Sequence, residues 1–439
     1  MRLTWLPPWR RRWRHSLISG LAALALSGGA AVAEGPRADG NPVDAIGDQP
    51  IEVSGAEGSG TLLAFSSRPL LGRMAGVTRL VIMVHGAARD ADRAEAVALA
   101  AIGPAAGETL VVAPQFLNDI DARRWTLPGD RLRWSEGAWV QALAAAAPAP
   151  ISPFTALDSL IHGLADPSLL PDLKTVTIAG HRAGADLVQR YAAVTTQLAG
   201  LDARGIAVRF VLAQPDSYLY VDQARPAPTD ACPGFDDWPY GLDGAPSYLG
   251  RLGPASVFGQ YRARHVVYLL GKPAVQEPDL SCAAAVQGAD PPARGRAYLG
   301  YLAALANEPV HRLAEIPDAA DARSFFTSAC GVAALLDKPD CPALTKSPVV
   351  PPFALPAAPV PAEPPAKPDA PPASPSPSAP SLPVPPSPPP VEAAAPPPEA
   401  PPESVAPGGL ADPLHEANPL APVLTRPPQK PPAQPPPPQ

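Results

Sequence analysis

The sequence predicts an α/β domain with a mostly parallel central sheet and helices on both faces, followed by a disordered proline-rich tail. Three observations carry this expectation. Six apolar, β-branched runs recur between residues 79 and 317, separated by stretches of helical spacing. The runs are too uniformly apolar for a sheet with one wet face, so both faces must be covered. Beyond residue 346 the composition changes: 37 of the 66 prolines fall in the last 93 residues.

Taken in order, the first 33 residues read as a secretory signal peptide. Arg10-Arg11-Arg12-Trp13-Arg14 supplies the basic start, Ser16 to Val32 is apolar and small, and Ala31-Val32-Ala33 is an A-x-A cleavage site before Glu34. The consecutive arginines fit the twin-arginine route loosely, and an uncleaved anchor is the alternative. Beyond this segment no stretch is long and apolar enough to cross a bilayer. The expected location is therefore secreted or periplasmic. Residues 34–57 read as a linker and 58–346 as one domain with a large core.

Within that domain the strands are expected at Arg79–Gly86, Thr109–Phe116, Thr175–His181, Ala207–Pro215, His265–Gly271 and His311–Pro317. Helices are expected at Phe154–Asp166, Ala183–Gly200 and Gly295–Ala306. Alternation of buried strands with helices implies parallel crossovers, and ligands of such sheets sit at the carboxyl ends of the strands.

Export fits the cysteines. Cys232, Cys282, Cys330 and Cys341 are an even set in an oxidising compartment, which favours disulfides. Of the three possible pairings, Cys330 with Cys341 closes a short loop and leaves Cys232 with Cys282. No cysteine or histidine spacing implies a metal, and no cofactor is expected. The net charge of −7 argues against a nucleic-acid partner. Residues 347–439 cannot bury enough apolar surface to offset ordering and are biased to extended polyproline conformations. They read as a spacer, or else as a ligand for a proline-recognition module.

The order of several short motifs resembles the α/β-hydrolase superfamily, in particular its exported esterase-like members. These are His85-Gly86-Ala87 with Arg89-Asp90, Ala113-Pro114-Gln115-Phe116, Pro171-Asp172-Leu173-Lys174, Gly180-His181-Arg182-Ala183-Gly184, Gln189-Arg190-Tyr191-Ala192, Ser217-Tyr218-Leu219-Tyr220 and Asp237-Trp238-Pro239-Tyr240-Gly241-Leu242. The resemblance implies an α/β-hydrolase fold with a nucleophile elbow at Gly180–Gly184 and an oxyanion segment at His85, Gly86 and Ala87, completed by the Ala183 N–H. It also implies a Ser, Asp/Glu, His triad in chain order. The three positions here read Arg182, Ala274 and Asp321. A guanidinium holds no lone pair for attack at neutral pH. Glu277 and Asp279 lie just beyond the acid position, and His311 starts its strand on the order of 20 Å from the relevant edge.

These readings point to a pseudoenzyme that binds or scaffolds. An active carboxylic-ester hydrolase with non-standard catalytic residues is the alternative, and an envelope protein whose tail does the recognising is a third possibility. The partner is unknown from sequence. A small anionic ligand at Arg182, helped by Arg89, and a cell-envelope protein are both candidates. Against the anion stands a simpler expectation, that Arg182 pairs with Asp90, Asp186 or Asp321 and plugs the cavity. The elbow position is normally strained. Either the turn has relaxed around Arg182 or specific partners hold it.

Overall fold

The structure, a computed structural model, describes residues 40–273, 279–341, 343, 345 and 346. The expected signal peptide, Ala274 and the proline-rich tail lie outside the described residues.

Nine strands form one sheet: β1 (Gln49–Gly55), β2 (Gly58–Ser66), β3 (Arg79–Val84), β4 (Thr109–Gln115), β5 (Thr175–His181), β6 (Ala207–Ala213), β7 (His265–Leu270), β8 (Arg312–Glu315) and β9 (Thr345–Lys346). Their spatial order is β1-β2-β4-β3-β5-β6-β7-β8-β9. β3 to β8 pair in parallel, while β1, β2 and β9 add antiparallel edges. The six strands expected from the apolar runs all form, each within three residues of its expected ends.

The helices are α1 (Ala91–Ile102), α2 (Asp119–Trp125), α3 (Pro153–Leu164), α4 (Ala183–Val194), α5 (Ala199–Ala203), α6 (Pro254–Arg262), α7 (Cys282–Ala285), α8 (Pro291–Ala306), α9 (Ala322–Phe326) and α10 (Ala329–Leu336). Alternation along the strands sends side chains to two separate cores. Leu80, Ile82, Ile178, Phe210 and Leu212 face α3, α4, α6 and α8. Val81, Met83, Ala179, Val211 and Leu269 face α1, α9 and α10. Burial on both sides is why these strands carry apolar residues throughout.

The linker expected over residues 34–57 is not one throughout. Residues 49–55, placed in it, form β1 and pair with β2 from Gln49↔Ala64 to Gly55↔Gly58. The preceding residues are bound in as well: Val43 N–H donates to Asp121 and Gly47 N–H to Gln115. Pro50 and Glu52 interrupt the apolar pattern of β1, and only Val53 is fully buried, so the strand does not stand out in sequence. The helix expected over 183–200 ends at Val194, where Thr195 turns extended; α5 follows separately.

The expected disulfides form, Cys232–Cys282 and Cys330–Cys341. Two disulfides fit an oxidising, extracellular environment. Among the described residues no helix is long and apolar enough to cross a membrane.

Candidate functional site

The turn from β5 into α4 is built by its two glycines. A Cβ on Gly180 would overlap the backbone of Gly184. One on Gly184 would stand 2.5 Å from the carbonyl oxygens of Val84 and His85. Only glycine at both positions lets the helix start press against β5 and the loop after β3. Arg182 sits at the tip with φ 50° and ψ −117°. Of the two outcomes left open by the sequence, the turn has therefore not relaxed: a bulky residue occupies a backbone region that costs roughly 1–3 kcal/mol. Its N–H donates to Ala213 O at the end of β6.

Taken with the strand order and a parallel run from β3 to β8, this sharp strand-to-helix turn decides the architecture. The domain has the α/β-hydrolase fold. In an α/β-hydrolase fold the tip of this turn faces the crevice at the carboxyl edge of the sheet.

Specific partners hold Arg182, but they are not the ones expected. Arg182 Nε donates to Asp216 Oδ2 at 3.2 Å, and Nη2 lies 3.0 Å from Oδ1. The second contact is an ion pair without hydrogen-bond alignment, since Oδ1 accepts no hydrogen bond. Parallel pairing explains the meeting. His181 lies beside Ala213 in the β5–β6 register, so the residues just after each strand emerge at the same edge. Asp216, three residues beyond Ala213, thus faces Arg182.

The backbone of Asp216 is fixed from both sides. Its N–H donates to Asp186 Oδ1 at 2.7 Å, and its carbonyl accepts from Arg294 Nη1 at 2.6 Å. Asp186, on the first turns of α4, lies 3.6 Å from Arg190 Nη1. Arg190 is fully buried and donates to Ser217 Oγ, Pro239 O and Val140 O, binding the α2–α3 connection and two points of the long segment after β6 to α4. Burial pushes the Asp186 carboxyl up to about 7, although Arg190 pulls the other way. Burial also raises Asp216, against the pull of Arg182.

The remaining sequence candidates are distributed as follows. Asp321 caps α9: its Oδ1 accepts from Ser324 N–H at 2.8 Å, and Ser324 Oγ accepts from Asp321 N–H. Asp279 accepts from Tyr240 Oη at 2.6 Å and from Ser281 N–H. His85 is buried between Phe116 and Trp139. Its Nε2 accepts from Phe116 N–H, so Nδ1 carries the proton and donates to Gly86 O; burial holds the ring neutral, with its pKa down to about 4. His85 thereby fixes the segment running through Gly86 and Ala87, which Gly184 sets against the start of α4 at Ala183.

Arg89 does not add charge to the crevice as expected. Its buried guanidinium binds Asp121, with Nε 2.8 Å from Oδ2, and donates to Asn41 O. His181 turns to the other face of the sheet, its ring 5.5 Å from Phe325. His311 packs between Tyr261 and Tyr268 and bonds Tyr261 O through Nε2. Among the described residues no group of histidine, cysteine and carboxylate side chains is arranged to hold a metal. Sequence reasoning missed Asp216, Arg190 and Arg294. The available signal for Asp216 was its place just past the strand that neighbours β5.

No protein-family profile and no curated protein matches the chain. Among solved structures it is similar to poly(aspartic acid) hydrolase-1 from Sphingomonas sp. KT-1, at 18% identity over 63% of this chain and 95% of that one, with a TM-score of 0.43. It is similar to LpqC, a poly(3-hydroxybutyrate) depolymerase from Bordetella parapertussis, at 21% identity over 65% and 88%, with a TM-score of 0.46. A Pyrobaculum calidifontis esterase gives 14% identity over 68% and 84%, with a TM-score of 0.31.

Proposed function

We propose that this is an exported protein that uses an α/β-hydrolase fold to bind or scaffold rather than to cleave. One observation carries the reading: the elbow tip is Arg182, and its guanidinium is ion-paired with Asp216. Such a side chain accepts no acyl group, because every nitrogen lone pair is delocalised into the cation. The histidine position is Asp321, whose carboxylate caps a helix. On this reading the signal peptide over residues 1–33 delivers the domain, and residues 347–439 act as a spacer.

A second reading, an ester hydrolase with non-standard residues, draws on the strain retained at the elbow, which costs stability without an evident structural return. A p-nitrophenyl acetate and butyrate assay separates the two. The expected outcome is no turnover above a heat-denatured control. Turnover abolished by Arg182→Ala or Asp216→Ala would establish the hydrolase instead.

A further inference from the structure

Apart from the elbow, a cavity opens where the β1–β2 hairpin meets the segment leading into α3. The hairpin turns at Ala56 and Glu57, between the paired Gly55 and Gly58. Gly58 holds φ 137°, and a Cβ there would stand 2.8 Å from the Ala149 Cβ. Glycine thus lets the segment before α3 press against the hairpin. The space left beside this contact measures about 230 Å³. Ala142, Ala144, Pro150 and Ile151 give it apolar walls, and Pro246, Ser247 and Tyr248 complete the lining. At ~30 Å³ for each water-sized group it holds about eight such groups, the size of a small metabolite.

Charge selects what can enter. Glu57 lines the cavity, and no basic side chain does. Among the described residues Glu57 has no ion-pair or hydrogen-bond partner. A carboxylate left alone beside apolar walls attracts a cation. Tyr248 adds to this attraction. Its hydroxyl is committed, donating to Asp158 Oδ2 at 2.8 Å and lying 3.1 Å from Thr195 Oγ1, so the ring is what it offers the cavity. The face of such a ring attracts cations.

We propose that this cavity binds a small quaternary ammonium ion, its head held by Glu57 and the Tyr248 ring. A primary ammonium brings three donors that need acceptors. The lining is poor in them: Ser152 Oγ already donates to Ala142 O and accepts from Phe154 N–H. A methylated head donates no hydrogen bond and needs only charge, a ring and apolar contact. The first turn of α3, at Ser152 and Thr155, carries the positive end of the helix, so the head belongs at the hairpin. An arm bearing a hydroxyl then meets Thr155 and Ser247. Choline has this chemistry and this size. The site is independent of whether the elbow binds or cleaves.

The test uses the full-length protein and its Glu57→Gln and Ala144→Trp variants. Both positions are exposed, so both variants are expected to melt with wild type. Each protein is titrated by calorimetry with choline chloride and with neohexanol, the neutral isostere of choline, at neutral pH and constant ionic strength. Wild type is expected to bind choline saturably and at least about tenfold more tightly than neohexanol. Glu57→Gln is expected to lose about tenfold in choline affinity. Ala144→Trp, which fills the cavity, is expected to lose the binding heat. No saturable choline heat in wild type overturns the proposal, and so does neohexanol binding as tightly as choline. Unchanged choline affinity in either folded variant overturns it as well. If a variant does not fold, the contrast between choline and neohexanol on wild type decides.

Discussion

Replacing Arg182 by glycine and by alanine isolates the strain at the elbow. Both changes remove the guanidinium and leave Asp216 without its cation, so that loss is common to the two and cancels in their difference. What differs is a Cβ at φ 50°, ψ −117°. Holding a non-glycine residue there costs roughly 1–3 kcal/mol. Glycine avoids most of this cost but gives up roughly 0.5–1 kcal/mol of additional chain entropy on folding. The Arg182→Gly protein is therefore expected to be the more stable by about 1 kcal/mol, or about 2–4 °C in melting temperature for a domain of this size. Urea unfolding of the two variants at one pH measures the difference as a midpoint shift at constant slope. Equal midpoints, or a higher one for Arg182→Ala, would mean that the turn relaxes at no cost and that the strain argument is wrong.

Gly184→Ala is expected to destabilise by several kcal/mol or to prevent folding, because the new Cβ meets two carbonyl oxygens at 2.5 Å; a melt within a degree of wild type would refute it. Stability should also respond to acid with two opposing signs. His85, His181 and His311 are held neutral by burial, their pKa values down to about 4, 3 and 4. Their contribution is complete above the unfolded value of about 6.5 and is lost as pH falls toward 4, about 2 kcal/mol each at pH 5. Asp186, raised to about 7, acts the other way: its cost is greatest above pH 7 and is relieved as pH falls toward its unfolded value. Asp186→Asn removes this opposing effect while Asp158 and Asp216, also raised by burial, keep theirs, so the variant should lose stability more steeply than wild type between pH 7 and 5; an equal or shallower urea profile would contradict the assignment. Removing Cys232–Cys282, which spans 50 residues, is expected to cost about 4 kcal/mol, against about 3 for Cys330–Cys341, which spans 11; non-reducing urea curves of the paired alanine variants showing the reverse order would count against the loop-entropy account.

The parallel body of the sheet was legible because its chemistry is one-dimensional. Buried strands need contiguous apolar residues, and runs such as Leu80–Val84 and Val208–Ala213 satisfy that need without reference to anything distant. The elbow was legible for a similar reason, since Gly180 and Gly184 are demanded by close backbone approach within five residues. β1 was not, because an edge strand with one buried residue leaves almost no pattern. The partner of Arg182 was not found because it depends on register. Asp90, Asp186 and Asp321 are near by sequence or by family position, whereas Asp216 is near only because β6 lies beside β5. Arg89 was misjudged on the same ground: its partner Asp121 arrives from the N-terminus of α2, beyond β4.

The carboxyl-terminal edge of the domain has a mechanical consequence. Among the described residues, β9 is two residues long and pairs with β8 through Leu313↔Thr345 and Arg312↔Lys346. A load applied through the segment that follows would peel those pairs away first, at small force. The peeling front would then meet Cys341, covalently tied to Cys330 on α10. Tension would pass from there into α10, whose Leu335 carbonyl accepts from Thr177 Oγ1 on β5, so a pull that the terminal strand alone could not withstand would be carried into the middle of the sheet.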